Sequence, residues 1–109
     1  MSILSKFLGR RFHAAIVDEN EDTLAQAITE MKLQYKEDVD VEGFTNYRDL
    51  FLRLNVSKAK DYPFDVALIH EYQTNLLLSN ILKRTDPNLK LVKYQDPKSI
   101  NECLTITFS

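Results

Sequence analysis

The stretch Phe64-Asp65-Val66-Ala67-Leu68-Ile69-His70-Glu71 constrains the fold more than any other part of the chain. Val66 to Ile69 are apolar without alternation, and polar residues bound the run at each end. A continuous run of that length reads as a strand covered by helices on both faces, which is a strand of a parallel sheet in an α/β domain. Open parallel sheets present their sites beyond the carboxyl ends of their strands. Here the residue presented is His70.

Composition excludes more than it selects. With 109 residues the chain is one domain with a single core. A net charge of -2 gives no basic surface for neutralising phosphates, so nucleic acid is not an expected partner. The single cysteine, Cys103, forms no internal disulfide and no zinc ribbon, which fits a cytoplasmic setting. No stretch approaches the roughly 18 apolar residues of a membrane span, and the first dozen residues lack a signal-peptide pattern. Gly9 and Gly43 are the only glycines and lie far apart, so a glycine-rich phosphate loop is excluded.

Residues 1–11 form an N-terminal extension, in which Ile3, Leu4, Phe7 and Leu8 predict a short amphipathic helix over Ser2 to Leu8. Lys6, Arg10 and Arg11 beside that stripe give a membrane-surface contact as one alternative to packing on the domain. Residues 12–109 form the domain. Phe12 to Val17 read as a buried strand ending in Asp18-Glu19, with His13 inside it as a satisfied core residue. Asn20 is an N-cap, and Leu24, Ala27, Ile28 and Met31 give the helix that follows its apolar face. Val39 to Phe44 make a second strand, and Thr45 or Asn46 caps a helix with Tyr47, Leu50, Phe51 and Leu54 inward. Asn55 to Pro63 is a polar connection into the central strand. A third helix runs from about Thr74 to Arg84 with Leu77, Leu78, Ile81 and Leu82 inward, and Leu76 lies off that stripe. Asp86-Pro87-Asn88 is a turn and Leu89 to Val92 a fourth strand. After a short helix near Lys98 to Cys103, the alternation Leu104-Thr105-Ile106-Thr107-Phe108 predicts a half-buried fifth strand.

Three of these stretches together resemble the receiver domain of two-component response regulators. Ala15-Ile16-Val17-Asp18-Glu19 is similar to the strand that ends in the family's paired acidic metal ligands. Phe64-Asp65-Val66-Ala67-Leu68-Ile69 is similar to the strand before the phosphoacceptor aspartate, and Leu77-Leu78 through Asp86-Pro87 resembles the helix and turn after it. The resemblance implies a flavodoxin-like parallel sheet of order 2-1-3-4-5 with helices on both faces, truncated at the C-terminus. It covers about Phe12 to Val92.

The departures decide what chemistry is expected. His70 stands where the resemblance places the acceptor aspartate. Phosphotransfer of that kind needs an acceptor carboxylate, a magnesium ion, a hydroxyl after the fourth strand and a lysine after the fifth. Asp18 and Glu19 remain as metal-ligand candidates, with Lys93 or Tyr94 at the hydroxyl position and no terminal lysine. In a second register, Leu91-Val92-Lys93-Tyr94 with Asp96-Pro97 behind it resembles the family's final strand. Lys93 is then the family lysine, and one strand and one helix are missing.

His70 has four readings: an inert replacement, a pH-sensitive switch near Asp18 and Glu19, a ligand with them for a weakly held divalent metal, or a phosphohistidine carrier. Glu71 adds a fifth reading, a fixed negative charge imitating phosphorylation, although the usual spacing points it elsewhere. Without a last helix, Leu104, Ile106 and Phe108 need a cover, either the N-terminal helix or another chain, so a homodimer through the fifth strand is expected. The expectation for function is a non-catalytic receiver-like interaction module with a protein partner. The alternatives are a metal- or phosphoryl-responsive switch built on Asp18, Glu19 and His70, and a membrane-surface adaptor built on residues 1–11.

Overall fold

The computed structural model describes residues 11–70 and 76–108, with side-chain surroundings for all of these except 76 and 105–108. The expected helix over Ser2 to Leu8, and Glu71, lie outside the described residues. Four strands and four helices alternate: β1 (Phe12–Val17), α1 (Glu21–Tyr35), β2 (Val39–Phe44), α2 (Tyr47–Ala59), β3 (Val66–His70), α3 (Leu76–Thr85), β4 (Lys90–Tyr94) and α4 (Ile100–Phe108). Short 3₁₀ turns at Lys36–Asp38 and Pro97–Ser99 lead into β2 and α4. All pairings are parallel and the order is β2-β1-β3-β4. No described helix is long and apolar enough to cross a membrane.

Period-two alternation sends each strand's residues to two cores. Phe12, Ala14, Ile16, Val66, Leu68 and Tyr94 pack with Leu24, Ala27 and Met31 of α1 and with Ile100 and Leu104 of α4. On the other face Ala15, Val17, Ala67 and Ile69 pack with Leu50 and Leu54 of α2 and Leu82 of α3. Each large side chain removed from water in this way contributes roughly 1.5–3 kcal/mol. Asn20 caps α1 as its spacing predicts, accepting from the Asp22 and Thr23 amides at 2.9 and 3.1 Å.

Gly43 permits a close approach of α1 to β2. A Cβ there would lie 2.7 Å from Ile28 Cδ1 and 3.2 Å from Leu24 Cδ1.

The sheet corrects the expected order 2-1-3-4-5, because no fifth strand is present among the described residues. The segment expected to supply it belongs to α4. Asp96 caps the preceding turn through the Lys98 amide, Pro97 opens it, and Ile100, Cys103 and Leu104 then recur at i, i+3 and i+4. That spacing presents one apolar face to α1, so burial against a neighbouring helix overrides the local alternation. Leu104 is fully buried there rather than exposed for a partner, and the side chains of Ile106 and Phe108 lie outside the described residues.

Smaller corrections follow the same logic. In α3 it is Leu82 that is buried, while Leu77 is 67% and Ile81 38% exposed. Three consecutive leucines, Leu76 to Leu78, leave the inward register of a short helix undefined by periodicity. Helix α2 runs to Ala59, past the expected end at Asn55, because Ser57 is buried with its hydroxyl donating to Leu54 O at 3.0 Å.

Candidate functional site

Strand geometry determines which candidate residues meet at the carboxyl edge of the sheet. Asp18 follows Val17 and continues the face of Ala14 and Ile16, and its amide donates to Phe44 O at 3.0 Å. His70 ends β3 and Tyr94 ends β4, and the two are register partners. Both continue the face occupied by Leu68 and Val92, so all three side chains emerge on the α1 side. The strand β4 extends two residues beyond its expected end at Val92, which brings Tyr94 into this set.

Asp18 is 2% exposed, and both oxygens of its carboxylate accept hydrogen bonds from within the chain. Oδ1 accepts the Asn20 amide at 2.9 Å. Oδ2 accepts the Thr23 hydroxyl at 2.6 Å and the Tyr94 hydroxyl at 2.9 Å. A buried carboxylate is stable only with such donors, and hydrogen bonds to an ionised acceptor are the strong ones. Tyr94 is equally buried, at 2% exposure. Burial first, and then the hydrogen bond and negative charge of Asp18, push the Tyr94 phenol far above the ordinary tyrosine range.

The remaining candidates are peripheral to that contact. The His70 ring stands edge-on to Tyr94 with centroids 5.3 Å apart, and its Nε2 donates to the Gln95 carbonyl at 3.2 Å. His70 is half-buried, while Glu19 and Lys93 are exposed. It is Tyr94 rather than Lys93 that reaches Asp18. Among the described residues, no group of three or more His, Cys, Asp or Glu side chains is placed to hold a metal ion. Hard divalent cations take several oxygen ligands, and both Asp18 oxygens are occupied by donors.

Sequence reasoning places Asp18, Glu19, His70 and either Lys93 or Tyr94 at one edge but misses Thr23. Its only signal is its position in the first turn of α1, three residues after the Asn20 cap, where a hydroxyl can turn back toward the end of β1.

No family model matches this chain, and no curated protein matches it. Its fold is similar to the crystal structure of a protein from Burkholderia pseudomallei with the provisional name pilus assembly-related protein. That structure has a TM-score of 0.61 and 11% identity, over 97% of this chain and 92% of the other. At that identity the likeness shows the fold alone. The class defined by the sheet is therefore a parallel α/β domain of order 2-1-3-4 with helices on both faces.

Proposed function

We propose that this chain is a flavodoxin-like, receiver-like domain that has given up phosphotransfer and acts without catalysis, as a protein–protein interaction module in cytoplasmic signal transduction. The observation that supports the reading is the buried Asp18 carboxylate, whose two oxygens accept hydrogen bonds from within the chain, one of them from the Tyr94 hydroxyl of β4. The acceptor position holds His70, which offers no carboxylate for phosphoryl attack. The arrangement also favours the second register of the resemblance. After β4 the chain passes Asp96-Pro97 into α4, which packs beside α1. On this reading Lys93 stands at the family's lysine position and Tyr94 beside it substitutes for ligand at Asp18. The provisional name of the structural neighbour adds one concrete setting, a protein assembly, in which such a module would bind a protein partner.

The test is an amide NMR titration of the full chain with magnesium and beryllium fluoride, followed by manganese and zinc. The expected spectrum is unchanged at Asp18, Glu19 and His70. Saturable shifts at those amides that spread to Tyr94 would refute the reading and establish a ligand-operated switch. The membrane-surface alternative rests on residues 1–11, of which 1–10 lie outside the described residues.

A further inference from the structure

The two helical layers carry charge of opposite sign. In α1, Glu21, Asp22 and Glu30 stand against Lys32, and Glu102 is the only charged residue of α4, which leaves a net -3 on that side. The 3₁₀ turns there, Lys36–Asp38 and Pro97–Ser99, cancel each other. In α2, Arg48, Arg53 and Lys58 stand against Asp49, and α3 adds Lys83 and Arg84, which leaves +4. Arg53 is paired with Glu42 of β2 at 2.6 Å, so the α2–α3 layer presents +3. Lys58 and Lys83 donate to the carbonyls of Thr85 and Leu89 and keep their charge. Arg48 and Arg84 are exposed.

Exposed apolar side chains follow the same division. Of the five large ones among the described residues, Leu52 and Val56 lie at i and i+4 on α2, and Leu77 and Ile81 at i and i+4 on α3. That spacing puts each pair on one helix face, and their concentration in one layer marks a contact surface where scattered single residues would not. Arginine with few carboxylates is also the composition of interface cores. The α1 side offers the complement. Besides its negative charge it carries the fifth exposed apolar residue, Leu33, and an open groove lined by Ala25, Gln26, Thr29 and Glu30 of α1 and by Pro97 and Lys98.

We propose that the α2–α3 layer of one copy docks on the α1–α4 layer of a second copy of this chain. Charge decides the pairing. Two α2–α3 layers brought face to face would set +3 against +3, and like charges juxtaposed across an interface are disfavoured. The opposite layer supplies the complement, and every copy carries it at the same concentration. Because the two layers cover opposite faces of the sheet, the contact is head-to-tail, and it propagates to further copies rather than closing as a twofold pair. The inference rests on reading the chain as an interaction module and supplies its partner. The two fail separately: ligand-induced shifts at Asp18 would refute the non-catalytic reading whatever the assembly state, and a monomeric chain would refute self-docking with the Asp18 spectrum unchanged.

The test is sedimentation velocity of the full chain from micromolar to millimolar concentration. The mean sedimentation coefficient is expected to climb without a plateau at a dimer. Raising salt until the screening length falls from about 10 to about 3 Å is expected to raise the concentration for half-association about tenfold. Two variants change only exposed or half-buried charges: Arg48→Glu with Arg84→Glu on one layer, and Glu30→Lys with Glu102→Lys on the other. Each alone is expected to be monomeric, and an equimolar mixture to associate, because each supplies the layer that the other lacks. A chain that is monomeric throughout, including one that sediments instead with vesicles of anionic phospholipid, would overturn the proposal. So would a dimer that salt does not weaken, or a Glu30→Lys, Glu102→Lys variant that still associates by itself.

Discussion

Replacing Tyr94 with phenylalanine removes one oxygen and leaves the packed ring in place, so it isolates the contact that closes the candidate site. Asp18 then keeps only the Thr23 hydroxyl and the Asn20 amide. A hydrogen bond to a charged group contributes about 1.5–3 kcal/mol, and at 2% exposure for both partners little water can replace it. The expected loss is therefore about 2 kcal/mol. For a chain of this size that corresponds to a fall in Tm on the order of 10 °C. Urea unfolding is the assay, with the midpoint expected to drop at constant slope. Tyr62→Phe is the control, because its acceptor Asp40 has a side chain 37% exposed and solvent can substitute, holding the cost to about 1 kcal/mol or less. The pH dependence follows with a definite sign. Folding raises the Tyr94 value above the ordinary 10.0, so its contribution is complete below about pH 10 and is lost as pH rises further. The variant and the unaltered chain should thus converge in stability at high pH. A Tyr94→Phe cost below that of Tyr62→Phe, or a difference insensitive to alkaline pH, would refute the account of Asp18 as a buried carboxylate held by the Tyr94 hydroxyl.

Two further outcomes follow from the same contacts. Leu104→Ala is expected to cost about 2–5 kcal/mol by urea unfolding, because the side chain is fully buried against α1, whereas a solvent-facing position would stay within about 0.5 kcal/mol. At acid pH the sign reverses from that of Tyr94. The Tyr62 hydrogen bond, opposed by burial and aided by Arg11, lowers Asp40, and Glu42 is lowered by Arg53 and His13 against burial. Their contribution is complete above the ordinary values of 3.8 and 4.5 and is lost as pH falls below them. Arg53→Met should therefore flatten the acid limb of the stability curve, and an unchanged limb would show that Glu42 is not held by Arg53.

Much of the framework is legible because burial on both faces leaves a strong mark. The apolar runs of β1 and β3 admit few other readings, and the Asn20 cap locates α1 to the residue. Legibility fails where one sequence satisfies two periods. Leu104 to Phe108 alternate as a strand would, but Ile100, Cys103 and Leu104 also follow a helical period, and packing on α1 decides between them. It fails again where a helix has more apolar residues than its inward face can use, as in α3. The candidate site was legible as positions but not as contacts. Asp18 and Tyr94 are 76 residues apart, and only the strand order shows that a phenol can cross β3 to reach the carboxylate. His13 is legible as a satisfied core residue, but its partners Glu42, Pro63 and Asp65 are not, since they meet it only once the strands are assembled.

The Tyr94–Asp18 hydrogen bond and the seating of α4 are parts of one arrangement. Tyr94 belongs to the same core as Ile100 and Leu104, so its ring is fixed by the helix that follows it in the chain. A cation approaching Asp18 would have to displace the phenol, weakening its own affinity by the roughly 1.5–3 kcal/mol of that hydrogen bond, about a factor of 10 to 100. It would also have to move a ring that is 2% exposed and packed in one core with residues of α1 and α4. Close-packed interiors resist such displacement, because a shift large enough to free one side chain opens a void beside several others. The same residues that complete the core on the α1 face therefore also hold the Tyr94 hydroxyl against Asp18. A ligand for this edge would have to bring enough binding energy to reorganise β4 and α4 together.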